Sequence, residues 1–202
     1  MTYPGDFPLL ALALLVAVAG WFTIMARTHF SAQSPRTPVL FVLEALSLAL
    51  VVATVVIVLW QDAIPLVRAV AAILLGGAAA LLFRAALNAT RQRDFGVVFG
   101  GTVPRTVVSD GPYRFVRHPL YAAYTVNWAG CAVLAGSWPV AALAAAIAVF
   151  YWCAAKAEER DLMRSSLGPA YRAYRRETGL FLPRMVRSNI DETGPHPPHE
   201  GA

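Results

Sequence analysis

Five stretches of the chain are long, apolar and almost free of charge, and no other feature constrains the fold as strongly. They cover residues 7–26, 39–60, 64–83, 120–137 and 139–155. A helix needs about 20 apolar residues to cross a bilayer, with a usual range of about 17–25. The first three stretches therefore predict complete crossings, whereas the last two are short and predict a hairpin that crosses twice or barely crosses. The sequence predicts an all-α membrane protein of about five transmembrane helices.

The composition and the positions of the basic residues agree with this prediction. Only 14% of the residues are charged, against roughly 25% in soluble domains. All 17 lysines and arginines except Arg68 follow the first, third or fifth stretch, and such residues favour the cytoplasmic side. We therefore expect a multi-pass protein of a bacterial inner membrane, with a cytoplasmic C-terminus. The same distribution explains the net charge of +5 without a nucleic-acid partner.

The densest group of polar residues occupies 111–121, directly before and at the start of the fourth stretch. Pro119 suits the first turn of a helix, where its missing N–H would have no partner. Such a helix start is a natural site for an anion, and Arg117 and His118 flank it. The alternative is that Arg117 and Tyr121 only anchor the helix at the lipid headgroups.

Two further groups of polar residues follow the fifth stretch. Glu158 and Glu159 could hold a cationic or hydroxyl-bearing ligand, or could form salt bridges to nearby arginines. Tyr171 and Tyr174 share a helix face, which could cover a pocket or lie at the membrane interface. The polar stretch 158–177 predicts an amphipathic helix. Glu44 is the one acid well inside a span, and an intramembrane acid is a functional candidate. No cluster of residues has the spacing of metal ligands.

In this order, these groups resemble the isoprenylcysteine carboxyl methyltransferase family and its bacterial, phospholipid methyltransferase-like relatives. The resemblance covers about residues 103–185. It depends on Val107-Val108, Gly111-Pro112-Tyr113, Arg117-His118-Pro119-Leu120-Tyr121, Glu158-Glu159 and Leu167-Gly168-Pro169-Ala170-Tyr171-Arg172-Ala173-Tyr174. A single Arg-His-Pro would be weak evidence, whereas the ordered set with an apolar hairpin between its parts is strong.

The resemblance implies transfer of a methyl group from S-adenosylmethionine to a lipophilic acceptor that enters from the bilayer. The acceptor would be a small molecule or a lipid, with a prenylcysteine carboxylate among the candidates. The predicted cofactor contacts are Thr106, Val107, Val108, Tyr113, His118, Pro119, Leu120, Tyr121 and Glu158. Catalytic roles are predicted for Arg117, Glu159 and Lys156. On this basis the chain divides into N-terminal helices with the start of a loop (1–101), a methyltransferase-like region (102–186) and a disordered tail (187–202).

The sequence departs from the family pattern at several positions. Ala154 occupies the place of an arginine that is thought to engage the acceptor, which argues against a carboxylate acceptor. Ala123 stands where many members have glycine, and about one extra residue before Leu167 leaves roles for Arg164 and Ser165 open.

Two other interpretations remain at this point. A nicotinamide-dependent membrane reductase of the sterol reductase type shares the Arg-His-Pro helix start, but usually with asparagine where this chain has Leu120. The other interpretation is a non-catalytic membrane protein that keeps the remains of an active site, called a relic site here. The intact set of Tyr113, His118, Tyr121 and Glu158 argues against a relic.

Overall fold

The computed structural model describes residues 2–3, 6–25, 28, 38–90 and 107–184. Six α-helices and one short pair of strands form in these ranges. The helices are α1 Asp6–Met25, α2 Pro38–Trp60, α3 Leu66–Thr90, α4 Pro119–Ala135, α5 Trp138–Arg164 and α6 Gly168–Glu177. The strands β1 Thr2–Tyr3 and β2 Ile64–Pro65 pair antiparallel, which places the start of α1 beside the start of α3. The protein is an all-α membrane protein, as the sequence predicted.

Four of the described helices are long and apolar enough to cross a bilayer: α1, α2 from Phe41, α3 and α5. The fourth predicted span, α4, has 17 residues, which is the lower limit of a crossing helix. It contacts α1, α2, α3 and α5, and most of its residues are buried. The shortest of the five predicted spans is therefore the central one. Because other helices surround α4, little of its surface faces lipid.

Small residues let α1 and α3 approach α4 closely. A Cβ atom on Gly130 of α4 would lie 2.8 Å from Leu15 Cδ2, and one on Gly76 of α3 would lie 3.1 Å from the same atom. Leu15 of α1 is fully buried between them. Close packing over glycine is a common way for helices to associate in a membrane, where the hydrophobic effect gives little help.

At the end of α4, Gly136 has φ 56°, the left-handed conformation that closes many helices. The Arg68 guanidinium lies where a Cβ of Gly136 would be. Arg68 Nη2 donates to Gln61 Oε1 at 2.5 Å, and Gln61 Nε2 donates to the Ala135 carbonyl at 2.8 Å. Arg68, the exception in the charge distribution, thus caps the negative end of the α4 dipole.

The helix boundaries differ from the predicted ones in two places. Helix α3 continues to Thr90, seven residues beyond the end of the third apolar stretch, and residues 91–106 lie outside the described ones. The predicted helix 158–177 is wrong as a single element, because α5 continues through Arg164 and α6 begins separately at Gly168. Pro169 explains the break, since in a continuous helix its ring would clash with the Ser165 carbonyl and it has no N–H to donate to that carbonyl. The predicted tail 187–202 also lies outside the described residues.

Candidate active site

The segment before α4 is folded tightly against α3. Gly111 has φ 56° and begins a 3-10 turn, Gly111–Arg114, in which the Tyr113 N–H donates to the Asp110 carbonyl at 3.1 Å. Tyr113 is buried and packs with Val108 and Ala86. This packing fixes the polar residues that follow at one end of the helix bundle.

Residues 178–182, here called the C-terminal strap, bind the backbone of the same segment. Gly179 forms a parallel bridge with Val116. The Arg117 N–H donates to the Gly179 carbonyl at 2.8 Å, and the His118 N–H donates to the Leu180 carbonyl at 3.1 Å. Sequence reasoning missed this contact, because it joins residues about 60 positions apart without a local pattern. The strap fixes the direction in which the Arg117 and His118 side chains leave the backbone.

Glu159 is the centre of a buried network of charged and polar groups. Its side chain is 1% exposed, and its Oε1 atom lies 2.5 Å from Arg117 Nε. Tyr171 donates to the same oxygen at 3.3 Å, and Lys156 Nζ lies 3.4 Å from Oε2. Arg117 also donates to the Thr178 carbonyl. Glu159 therefore connects the start of α4, the end of α5, helix α6 and the strap.

Glu158 faces a different set of residues, because adjacent helical residues point about 100° apart. The Tyr121 hydroxyl donates to Glu158 Oε1. His118 Nδ1 lies 3.5 Å from Glu158 Oε2. The adjacent glutamates therefore differ in their closest partners: Glu159 is paired with arginine and lysine, whereas Glu158 accepts from the Tyr121 phenol. His118 lies between them, because its Nε2 atom is 3.9 Å from Glu159 Oε1.

One ring nitrogen of His118 has no hydrogen-bond partner among the described residues. Its Nε2 atom is buried and makes no hydrogen bond to any residue in the described ranges. Burial lowers the pKa of His118 to about 4, with Arg117 and Lys156 adding to the effect against the opposing charge of Glu159. The imidazole is consequently neutral at pH 7. A buried polar atom without a partner usually marks a place that a ligand or water fills.

Burial also raises the pKa values of the tyrosines outside the spanning helices. The pKa of Tyr174 rises to about 12, and those of Tyr113 and Tyr171 rise as well. Their hydroxyls therefore stay protonated and act as donors at neutral pH. One example is the Tyr174 hydroxyl, which donates to the Tyr113 carbonyl at 2.6 Å.

A column of aromatic rings leads from this polar group into the helix bundle. The rings of His118 and Tyr121 stack at 5.6 Å, those of Tyr121 and Tyr151 at 5.3 Å, and those of Tyr151 and Tyr124 at 5.3 Å. We call these four residues the ring column. It joins the polar end of the site to the apolar core between α4 and α5. Sequence reasoning missed Tyr124 and Tyr151, which lie inside uncharged stretches and match no motif.

The other predicted site residues lie close to this arrangement. Pro119 is buried in the first turn of α4, with His118 as the residue before the helix. Leu120 packs against the cluster that contains Tyr113 and Val108, and Val107 is partly exposed beside it. Thr106 lies outside the described residues. The structure thus brings the predicted residues of three separate motifs together at one end of the bundle.

Residues 64–170, more than half of the chain, match the phospholipid methyltransferase family. The chain belongs to this family. The match runs from β2 to the start of α6 and includes the segment before α4 and both glutamates. The resemblance predicted from the sequence is confirmed.

Three curated proteins resemble parts of the chain, each at 36% identity. One is the cobalt-zinc-cadmium resistance protein CzcN of Cupriavidus metallidurans, over 42% of this chain and 39% of its own length. Another is the nickel-cobalt-cadmium resistance protein NccN of Alcaligenes xylosoxydans xylosoxydans, over 43% and 40%. A third is the methanethiol S-methyltransferase of a Pseudomonas species, over 36% and 26%. The chain therefore spans less than half the length of these relatives. No solved structure matches the chain.

Proposed function

We propose that the protein is a membrane methyltransferase that moves a methyl group from S-adenosylmethionine to a lipophilic acceptor. Family membership and the relative named as a methyltransferase support the reaction class. The observation that carries the proposal is the contact of His118 and Tyr121, at the start of α4, with Glu158 at the end of α5. It places an acid, a neutral imidazole with an unused nitrogen and a helix N-terminus together.

The groups at this end of the bundle fit the polar parts of the cofactor. The first turn of α4 presents N–H groups and the positive end of its dipole, which suit the methionine carboxylate. Glu158 suits the ribose hydroxyls or the ammonium group as a hydrogen-bond acceptor. The rings of Tyr113 and Tyr121 suit the adenine and the sulfonium, because a cation is attracted to an aromatic face.

The cofactor supplies a methyl group on a sulfonium: its carbon–sulfur bond breaks, a bond to the acceptor heteroatom forms, and the acceptor loses a proton. The chain needs no covalent intermediate for this displacement. Its residues hold the reactants in line and keep water out, which can contribute roughly 7–11 kcal/mol. The catalytic roles of Arg117, Glu159 and Lys156 stay predictions. Their mutual contacts also keep the strap and α6 over the start of α4.

The acceptor in this proposal reaches the ring column from the bilayer, and the cofactor comes from the cytoplasm. Arg114, Arg164 and Arg172 are exposed at the same end of the bundle as the polar site, which agrees with a cytoplasmic orientation. An interfacial site of this kind serves one polar and one apolar reactant.

Calorimetric titration of the purified protein with S-adenosylhomocysteine and with NADPH tests the proposal. We expect binding of the first compound alone. Replacing His118 or Glu158 by alanine should weaken that binding roughly tenfold to a hundredfold, because each removes a hydrogen bond to a charged or polar group. Glu177→Ala, which removes an exposed acid of α6, is the matched control. Binding of NADPH alone would favour the reductase interpretation. Unchanged affinity for S-adenosylhomocysteine in both site variants would contradict the assignment of His118 and Glu158 to the cofactor site.

A further inference from the structure

Two partly exposed cations from different helices meet at one oxygen of Glu159. Lys156 Nζ of α5 lies 3.4 Å from Glu159 Oε2, and Arg175 Nε of α6 lies 3.8 Å from the same atom. The Lys156 and Arg175 side chains are 34% and 43% exposed, whereas that of Glu159 is 1% exposed. Because both distances end on one atom, the two cations lie no more than about 7 Å apart, where α5 and α6 meet at the protein surface.

Positive charge exceeds negative charge at this place. Glu159 is also the partner of Arg117, whose Nε atom lies 2.5 Å from Oε1, so three cations surround a single carboxylate. Among the residues that the structure describes, no second acid lies within 4 Å of Lys156 or Arg175. The contact of Arg117 is the shortest of the three, which leaves Lys156 and Arg175 without a full negative charge of their own.

Most of the hydrogen-bond donors of these two cations are unused. An ammonium group has three N–H donors and a guanidinium has five. Lys156 donates to Glu159, and Arg175 Nη1 donates to the Met163 sulfur at 3.4 Å, which is a weak acceptor. Neither side chain makes another hydrogen bond within the described ranges. An anion with several oxygens suits this arrangement, because both cations can donate to it together.

Lys156 lies where α5 leaves the apolar layer of the membrane. It is the first charged residue after the apolar stretch of this helix. Trp152, one turn earlier, is 50% exposed, and the Lys156 ammonium lies 5.9 Å from the centre of its ring. Tryptophan is enriched at the membrane surface, at the level of the lipid headgroups. The two cations therefore lie at the level where the available anions are lipid phosphates.

We propose that Lys156 and Arg175 bind the phosphate of an anionic membrane lipid, which thereby links α6 to α5. A lipid with a net negative charge suits the excess of cations, since basic residues near a membrane surface attract such lipids. Helix α6 leads into the C-terminal strap, whose backbone binds Arg117 and His118. The bound lipid therefore helps to hold the strap over the start of α4. The lipid is a structural partner and not the methyl acceptor, so the inference does not depend on the proposed function.

Titration of the full chain in dodecyl maltoside with dioctanoyl phosphatidylglycerol tests the proposal, with affinity measured from the rise in melting temperature. Dioctanoyl phosphatidylcholine, whose phosphate carries no net charge with it, and inorganic phosphate are separate titrations. We expect the largest rise with phosphatidylglycerol.

The variants Lys156→Gln and Arg175→Gln should each bind phosphatidylglycerol about tenfold more weakly or worse, because each loses charge-assisted hydrogen bonds. Arg176→Gln is the matched control, since it removes the neighbouring exposed arginine of α6. It should weaken binding about fivefold or less, the effect of one basic residue near an anionic surface. Each variant is compared with its own melting temperature without lipid.

Equal rises with the two lipids, or no rise with either, would overturn the proposal. Equal weakening in the variants of Lys156, Arg175 and Arg176 would also overturn it, because it would show a general attraction to charge in place of a defined site. Tighter binding of inorganic phosphate than of phosphatidylglycerol would contradict a lipid as the source of the phosphate. The titrations need neither cofactor nor methyl acceptor, so their outcome is separate from that of the S-adenosylhomocysteine titration.

Discussion

The Nε atom of Arg117 lies 2.5 Å from the Oε1 atom of Glu159, and both side chains are nearly excluded from solvent. This ion pair joins the start of α4 to the end of α5, and the guanidinium also holds the strap through the Thr178 carbonyl. The neighbouring glutamate, Glu158, points to Tyr121 and His118 instead. One acid of the pair thus maintains the architecture of the site, and the other is the one that we propose as a cofactor contact.

Removing Glu159 should destabilise the protein strongly. Glu159→Ala leaves the Arg117 guanidinium buried without its partner, which typically costs about 3–5 kcal/mol. Thermal unfolding in detergent measures the effect. Lys156→Ala is the control, because Lys156 is about one-third exposed and lies 3.4 Å from the same carboxylate. It should change stability by less than about 1 kcal/mol. Equal melting temperatures for the two variants would show that the ion pair is not structural.

The low pKa of His118 predicts how stability depends on pH. Its pKa is about 4 in the folded protein, against 6.5 for an ordinary histidine. Between these values the unfolded chain binds a proton that the folded protein does not, so the free energy of unfolding falls as the pH falls. Above pH 6.5 this contribution is constant.

Denaturation at several pH values, on the wild type and on His118→Gln, checks this expectation. The variant should lose the part of the pH dependence that lies between pH 6.5 and 4. Identical slopes for both proteins would contradict it.

A methyl group at Gly136 should disturb the far end of the bundle. Gly136 has φ 56°, which costs other residues about 1–2 kcal/mol, and its Cβ would strike the Arg68 guanidinium. We therefore expect Gly136→Ala to lower the melting temperature. Gly77→Ala is the matched control, because Gly77 is helical and its Cβ would meet nothing within 4 Å. It should leave the melting temperature unchanged or raise it.

The orientation can be tested with a reporter fused after Arg187. We expect reporter activity only in the cytoplasm, because all the lysines and arginines except Arg68 lie on the predicted cytoplasmic side. A second fusion after Asp62, which follows α2 at the opposite end, should behave in the reverse way. Activity of the first fusion in the periplasm would show that the predicted orientation is wrong.

The acceptor should not be a free carboxylate. Ala154 cannot make the two-pronged contact that arginine makes with a carboxylate, and the nearby Lys156 already lies against Glu159. The measurement is methyl transfer to a prenylcysteine analogue beside amine, phenol and thiol acceptors of matched lipophilicity. Preference for the prenylcysteine would contradict the expectation. Loss of that preference in Lys156→Ala would identify the lysine as the carboxylate's partner, and its persistence would point to Arg160, Arg164 or Arg117.

Hydropathy alone predicted the spanning helices, because a bilayer selects for length and apolarity. The site could be located because Arg117, His118 and Glu158 belong to motifs with fixed spacing. The different partners of Glu158 and Glu159 could not be predicted, since they depend on the rotation of α5 against α4. The pairing of Gly179 with Val116 could not be predicted either, because backbone contacts between distant segments leave no local sequence pattern.

Helix α5 runs without a break for 27 residues, but only residues 138–155 are uncharged, a length of about 27 Å, while the hydrocarbon layer of a typical bilayer is about 30 Å thick. It begins at the exposed Trp138, a residue type that anchors helices at the membrane surface. Glu158 sits near the opposite end, and its partner Tyr121 belongs to the short, enclosed α4. The uncharged part of α5 therefore crosses the bilayer with no length to spare, so that Trp138 at one membrane surface sets the height of Glu158 at the other.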